Sequence, residues 1–87
     1  MRVRELLDTA IRQVADLTGS QVETVSGLER DGDEAWVVTV EVLELERVPS
    51  TMDLLASYEI RLTDDGDVLG FRRARRYSRS AADDGRG

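Results

Sequence analysis

Apolar residues recur at Val3, Leu6, Leu7, Ala10, Ile11, Val14 and Leu17, while Glu5, Asp8, Arg12 and Asp16 fall between them. The spacing follows the helical repeat and puts the apolar set on one stripe, so an amphipathic helix with one buried face is predicted over residues 3–18. Gly19 supplies a left-handed stop. Asp8, Arg12 and Asp16 stand four apart and are expected to pair along the exposed side.

Beyond Gly19 the period falls to two. Residues 22–29 read as an imperfect first strand, because Val22 and Val25 are out of phase unless the chain bulges, and Ser26-Gly27 is the place for that bulge. Asp31-Gly32-Asp33-Glu34 has turn chemistry. Trp36, Val38, Val40 and Val42 then alternate with Val37, Thr39 and Glu41, the clearest strand in the chain, and this face would bury Trp36 in the core. Past Val42 the apolar phase slips to Leu43 and Leu45, which calls for a second bulge in a strand running to about Arg47. Pro49 has no ladder donor, so Val48-Pro49-Ser50-Thr51 is a loop. A third strand over 54–62, a turn at Thr63-Asp64-Asp65-Gly66-Asp67 and a fourth strand from Val68 to Arg79 complete the pattern.

One helix followed by four strands with short connections implies an α+β fold: an N-terminal amphipathic helix packed on a four-stranded antiparallel meander. Residues 1–79 are expected to form a single domain, and 80–87, which lack periodicity and bulk, a disordered tail. The 87 residues are 40% hydrophobic and 34% charged, enough for one modest core. The absence of Cys and His removes disulfides, thiolate metal sites, the cysteine nucleophile and the commonest general base. No enzyme, cofactor or metal is therefore expected. No apolar run is long enough to span a bilayer, and the N-terminus does not open on a signal-peptide core, so a cytoplasmic protein without membrane contact is expected. The net charge of -6 argues against general affinity for nucleic acid, although every cation is Arg and none is Lys.

Several separated pieces carry a family likeness: Leu17-Thr18-Gly19, Val25-Ser26-Gly27, Trp36-Val37-Val38, Val40-Glu41-Val42-Leu43-Glu44, Arg47-Val48-Pro49, Asp53-Leu54-Leu55-Ala56-Ser57-Tyr58-Glu59, Asp65-Gly66 and Arg75-Arg76-Tyr77-Ser78-Arg79. In order and spacing, Leu17 to Arg79 resembles the gas vesicle protein O family, with the run from Glu41 to Glu59 the most distinctive part. The resemblance implies a non-enzymatic accessory protein in gas vesicle formation. Its expected partners are other gas vesicle proteins, shell or accessory, with a homodimer as a further candidate, and its expected place is the cytoplasm, in association with gas vesicles.

The densest constellation is Arg72, Arg73, Arg75, Arg76 and Arg79, with Tyr77 among them. On a regular strand Arg73, Arg75, Tyr77 and Arg79 share one face, and Arg72 and Arg76 the other. Two roles remain open: cross-strand pairing with Glu41, Glu44, Glu46 and Glu59, or a basic patch that docks an acidic segment of a partner. A regulatory nucleic-acid binder using the same strand, with Phe71 and Tyr77 as stacking surfaces, is the alternative function. Arg47 and Asp53 bracket the Pro49 loop, where they either close it by an ion pair or frame a contact surface with Val48, Met52 and Leu54. The Asp-Gly clusters at 31–34 and 64–67 lack the spacing of a calcium loop and read as turns.

Overall fold

The computed structural model describes residues 2–80. Helix α1 (Val3–Thr18) is followed by β1 (Gln21–Asp31), β2 (Ala35–Leu45), a 3-10 turn (Ser50–Met52), β3 (Leu54–Thr63) and β4 (Val68–Ser78). The strands form one antiparallel sheet in the order β1-β2-β3-β4. The expected α+β architecture is what forms.

The helix stripe is narrower than the sequence pattern. Leu6, Ala10 and Val14, spaced four apart, are buried and Leu7 packs beside them, while Val3 and Leu17 at the two ends remain exposed. Gly19 closes the helix at φ 69°, donating its N–H to the Ala15 carbonyl at 2.8 Å. No ion pair joins Asp8, Arg12 and Asp16 among the described residues, so the expected ladder does not close.

The buried stripe meets Val38, Val40 and Val42 of β2 and Ala56, Ile60 and Leu62 of β3, with Val22, Val25, Leu28, Trp36 and Tyr58 packed around them. Antiparallel register puts these on one face: Val38 opposes Ile60, Val40 opposes Tyr58 and Val42 opposes Ala56. Trp36 is only partly buried, at the end of this layer. Its indole Nε1 donates to Asp64 at 2.6 Å, and the Arg30 guanidinium lies 4.5 Å from the ring centroid.

Bulges fall where the sequence phase slips. Register shifts occur in β1 between Val22 and Thr24 and between Val25 and Gly27, and in β2 between Leu43 and Leu45. At Gly27 a Cβ would lie 3.2 Å from Thr39 Oγ1, so the missing side chain lets β1 settle onto β2. β2 stops at Leu45, short of the expected Arg47, because the Arg47 amide turns to the Asp53 carboxylate instead of to a strand. The expected tail lies outside the described residues except for Ser80, whose hydroxyl is 3.3 Å from that of Ser78.

Candidate docking site along the last strand

β4 is an edge strand, and most of it is exposed on both faces. Ser57 opposes Arg75 and the next residue, Tyr58, opposes Arg73, so Ala74 is an extra residue in β4. That bulge changes the faces expected for a regular strand. Arg73 and Arg76 lie on the helix side, opposite Tyr58 and Ala56, and Arg72, Arg75 and Tyr77 lie on the far side, opposite Glu59, Ser57 and Leu55. The four arginines thus oppose four consecutive residues of β3, alternating faces with no gap.

On the helix side the arginines converge on Glu44, itself the extra residue of the β2 bulge. Its carboxylate accepts from Tyr58 Oη at 2.7 Å and Arg76 Nε at 2.8 Å, and pairs with Arg73 Nη1 at 3.5 Å. The glutamate side chain is 11% exposed, whereas those of Arg73 and Arg76 are 48% and 54% exposed. Negative charge is therefore buried beneath and positive charge displayed above. The Tyr58 hydroxyl holds the Glu44 carboxyl below its ordinary range, against an opposing effect of burial and with help from Arg76 and Arg73. A guanidinium has five N–H donors, so one shared carboxylate leaves donors facing solvent.

The far side is organised around Glu41. Its carboxylate accepts from Ser57 Oγ and Tyr77 Oη, each at 2.6 Å, and from Ser26 Oγ, the extra residue of a β1 bulge. Burial opposes the Glu41 charge, but the three hydroxyls and the nearby Arg75 outweigh it and hold the carboxyl below its usual value. Burial and the bond to Glu41 push the Tyr77 hydroxyl up to about 12. Arg75 lies 4.3 Å from the Tyr77 ring centroid, and Arg72 pairs with Glu59 at 2.8 Å.

At the end of the sheet Arg79 ties three elements together. Its guanidinium reaches Asp53 Oδ2 at 3.3 Å and Glu23 Oε1 at 3.1 Å, and its amide donates to the Asp53 carbonyl at 2.8 Å. Asp53 is buried, and its other oxygen accepts the Arg47 backbone N–H at 2.8 Å. Of the two roles open to Arg47 and Asp53, the ion pair between them does not form: Asp53 caps the loop backbone and takes its charge partner from Arg79. The Arg47 side chain has no partner among the described residues, and it stands beside Val48, which is fully exposed, and exposed Met52. Leu54 is half-buried, and the Val48-Pro49 bond is cis.

Of the four carboxylates anticipated as arginine partners, Glu44 and Glu59 make ion pairs, whereas Glu41 is bound by the hydroxyls of Ser26, Ser57 and Tyr77 with Arg75 only nearby, and Glu46 makes no ion pair among the described residues. Glu23 and Tyr58 were not singled out. Glu23 lies at the phase slip between Val22 and Val25, and Tyr58 places a hydroxyl among core-facing positions that would need a partner. Among the described residues no group of three or more carboxylates is arranged to hold a metal ion, and no helix is long and apolar enough to cross a membrane.

A family model described as the gas vesicle synthesis protein GvpO matches residues 1–83. The chain belongs to this family. It is 53% identical over 78 residues to gas vesicle protein O of Streptomyces sp. (strain CB03234), covering 90% of this chain and 60% of that relative. It is 42% identical over 72 residues to gas vesicle protein O1 of Halobacterium salinarum, covering 82% and 60%. Gas vesicle protein O of Haloferax mediterranei is 33% identical over 64 residues, covering 74% and 46%. The chain thus spans 60% or less of the length of these GvpO relatives. No solved structure matches it.

Proposed function

We propose that this chain is a non-enzymatic accessory factor in gas vesicle formation, which acts in the cytoplasm by docking other gas vesicle proteins through the arginines of β4. Family membership supports the process, and one observation supports the surface: on β4 the half-exposed guanidiniums of Arg73 and Arg76 are displayed over the Glu44 carboxylate, which is itself largely buried. An acidic segment of a partner would meet Arg72, Arg73, Arg75 and Arg76 already held in place, so little side-chain ordering remains to be done on binding. The Arg47 loop, with Val48 and Met52 exposed beside it, extends the surface at the end where Arg79 and Asp53 fix the chain. Residues 1–79 act as one domain on this reading, with Tyr77, Asp53 and Arg79 supporting the site.

The reading without catalysis is supported by the character of Glu41. Ser57 does donate to this carboxylate, which is the geometry of a nucleophile beside a base. A carboxylate held below its ordinary value by three hydroxyls is a poor proton acceptor at neutral pH, so the cluster is a lock and not a reactive centre. The nucleic-acid alternative is weakened by the aromatic rings it would need. Tyr77 carries Arg75 on its ring, and Phe71 stacks on Tyr58 with centroids 5.1 Å apart.

The test is co-purification of the tagged chain with each of the other gas vesicle proteins in nuclease-treated lysate at low and moderate salt. A specific protein partner that survives nuclease is expected. Loss of all binding on nuclease treatment would instead favour the nucleic-acid function.

A further inference from the structure

A single helix cannot cover four strands. An α-helix is about 10 Å across and strand axes are about 4.8 Å apart, so the outer strands of this sheet lie about 14 Å from one another. Helix α1 packs on β1, β2 and β3, which leaves the helix side of β4 as an open lane beside it. Register places Val68, Phe71, Arg73 and Arg76 in that lane, opposite Leu62, Ile60, Tyr58 and Ala56. Val68 and Phe71 are exposed, and Phe71 is propped against Tyr58 by ring stacking. The lane is apolar at one end and basic at the other.

We propose that this lane receives an amphipathic helix from a partner protein, apolar at the end over Val68 and Phe71 and acidic at the end over Arg73 and Arg76, lying beside α1 as a second helix on the sheet. The inference rests on the docking reading above and names the chemistry of what docks. The dimensions match. Ala56 to Leu62 spans about 20 Å of strand, the length of a helix of about 13 residues. Arg73 and Arg76 oppose residues two apart on β3, a separation of about 7 Å, and carboxylates at i and i+4 of a helix lie about 6 Å apart along its axis. Glu44 is committed beneath the two arginines, so their outward donors call for negative charge from outside.

An added strand fits the same edge less well. The register shifts at Ala74 and Leu69 break the ladder that a strand would need to extend. A second copy offers no suitable helix, because the apolar stripe of α1 is already spent on its own sheet.

The probe is a synthetic amphipathic peptide of about 14 residues, with leucines over its first two turns and glutamates at i and i+4 over its last two, titrated into the isotope-labelled full chain. Amide shifts at Tyr58, Phe71, Arg73 and Arg76 are expected, with a gain of peptide helicity by circular dichroism. Binding should weaken about tenfold or more in Arg73→Gln/Arg76→Gln and in Phe71→Ser, and stay within about twofold in Arg61→Gln, a β3 arginine outside the docking set whose guanidinium pairs with Asp31 at 2.7 Å. Phe71 is at the surface, so its variant carries the test if the arginine pair proves necessary for folding. Shifts confined to the far face, an extended bound peptide or no binding would overturn the lane. Run on the co-purified gas vesicle partner, Arg73→Gln/Arg76→Gln and Arg72→Gln/Arg75→Gln separate the two claims. Loss only in Arg72→Gln/Arg75→Gln refutes the helix lane and leaves docking on β4 standing, whereas no loss in either pair refutes docking on β4 itself.

Discussion

Glu44 and Arg76 are 32 positions apart in the chain and 2.8 Å apart in space, the carboxylate tucked under the strand and the guanidinium turned outward. The contact exists because Glu44 is the extra residue of a bulge, which re-aims its side chain toward β4. The same device recurs. Glu23 and Ser26, the extra residues of β1, accept from the Arg79 guanidinium and donate a hydroxyl to Glu41, respectively. Three irregularities in the ladder thus provide the groups that hold Arg73, Arg76 and Arg79 and that brace Glu41, the acceptor of Tyr77.

Glu44→Ala is expected to cost about 2 kcal/mol, since it strips Tyr58 Oη of its acceptor and leaves Arg73 and Arg76 without their shared partner. The cost is no larger because both arginines are half-exposed and solvent screens them. Urea unfolding should show a lower midpoint with an unchanged slope. An unchanged midpoint would mean that Glu44 does not support the strand.

The two hubs also set the pH response. Glu41 and Glu44 have folded pKa values below the ordinary 4.5, so their contribution is complete above that value and is lost as pH falls through the folded values. Tyr77 is raised from 10.0 to about 12, so its contribution is complete below pH 10 and is lost as pH climbs toward 12. Urea midpoints measured across pH should therefore fall at both ends. Tyr77→Phe should flatten the alkaline fall, leaving the part due to Tyr58, which burial and Glu44 also raise.

Asp53→Ala should cost about 3 kcal/mol, because a buried carboxylate leaves two partners unsatisfied: the Arg47 amide and the Arg79 guanidinium. It should also free the loop around Val48. Trypsin cleavage after Arg47, followed by mass spectrometry, should be faster than in the unsubstituted chain, whereas equal rates would mean that Asp53 does not hold the loop.

Trp36→Phe should cost about 1 kcal/mol, the loss of the indole bond to Asp64 with much of the packing kept. Trp36→Ala should cost about 3 kcal/mol, since the ring is only partly buried. Thermal unfolding of the two variants separates the polar share from the packing share.

Much of this fold was legible because its patterns are strong and local. The helix stripe, the alternation through Trp36 to Val42 and the phase slips at Ser26-Gly27 and beyond Val42 each leave a mark in the order of apolar residues. The faces of β4 were not legible. Ala74 is small enough to sit anywhere, so nothing in Arg72 to Arg76 announces the bulge that moves Arg73 across to join Arg76. Asp53 misled for a related reason: Arg47 is near in sequence, but the guanidinium that reaches the carboxylate belongs to Arg79, brought there by β3–β4 pairing. Trp36 has the right phase for the core and lies at its margin, a position set by where the strand begins.

The most direct test of docking through β4 is co-purification with the gas vesicle proteins, comparing the unsubstituted chain with a variant carrying Gln at Arg72, Arg73, Arg75 and Arg76. The account predicts that the variant keeps a cooperative thermal transition and loses its protein partner in nuclease-treated lysate. A folded variant that still brings down the same partner in undiminished amount would contradict it.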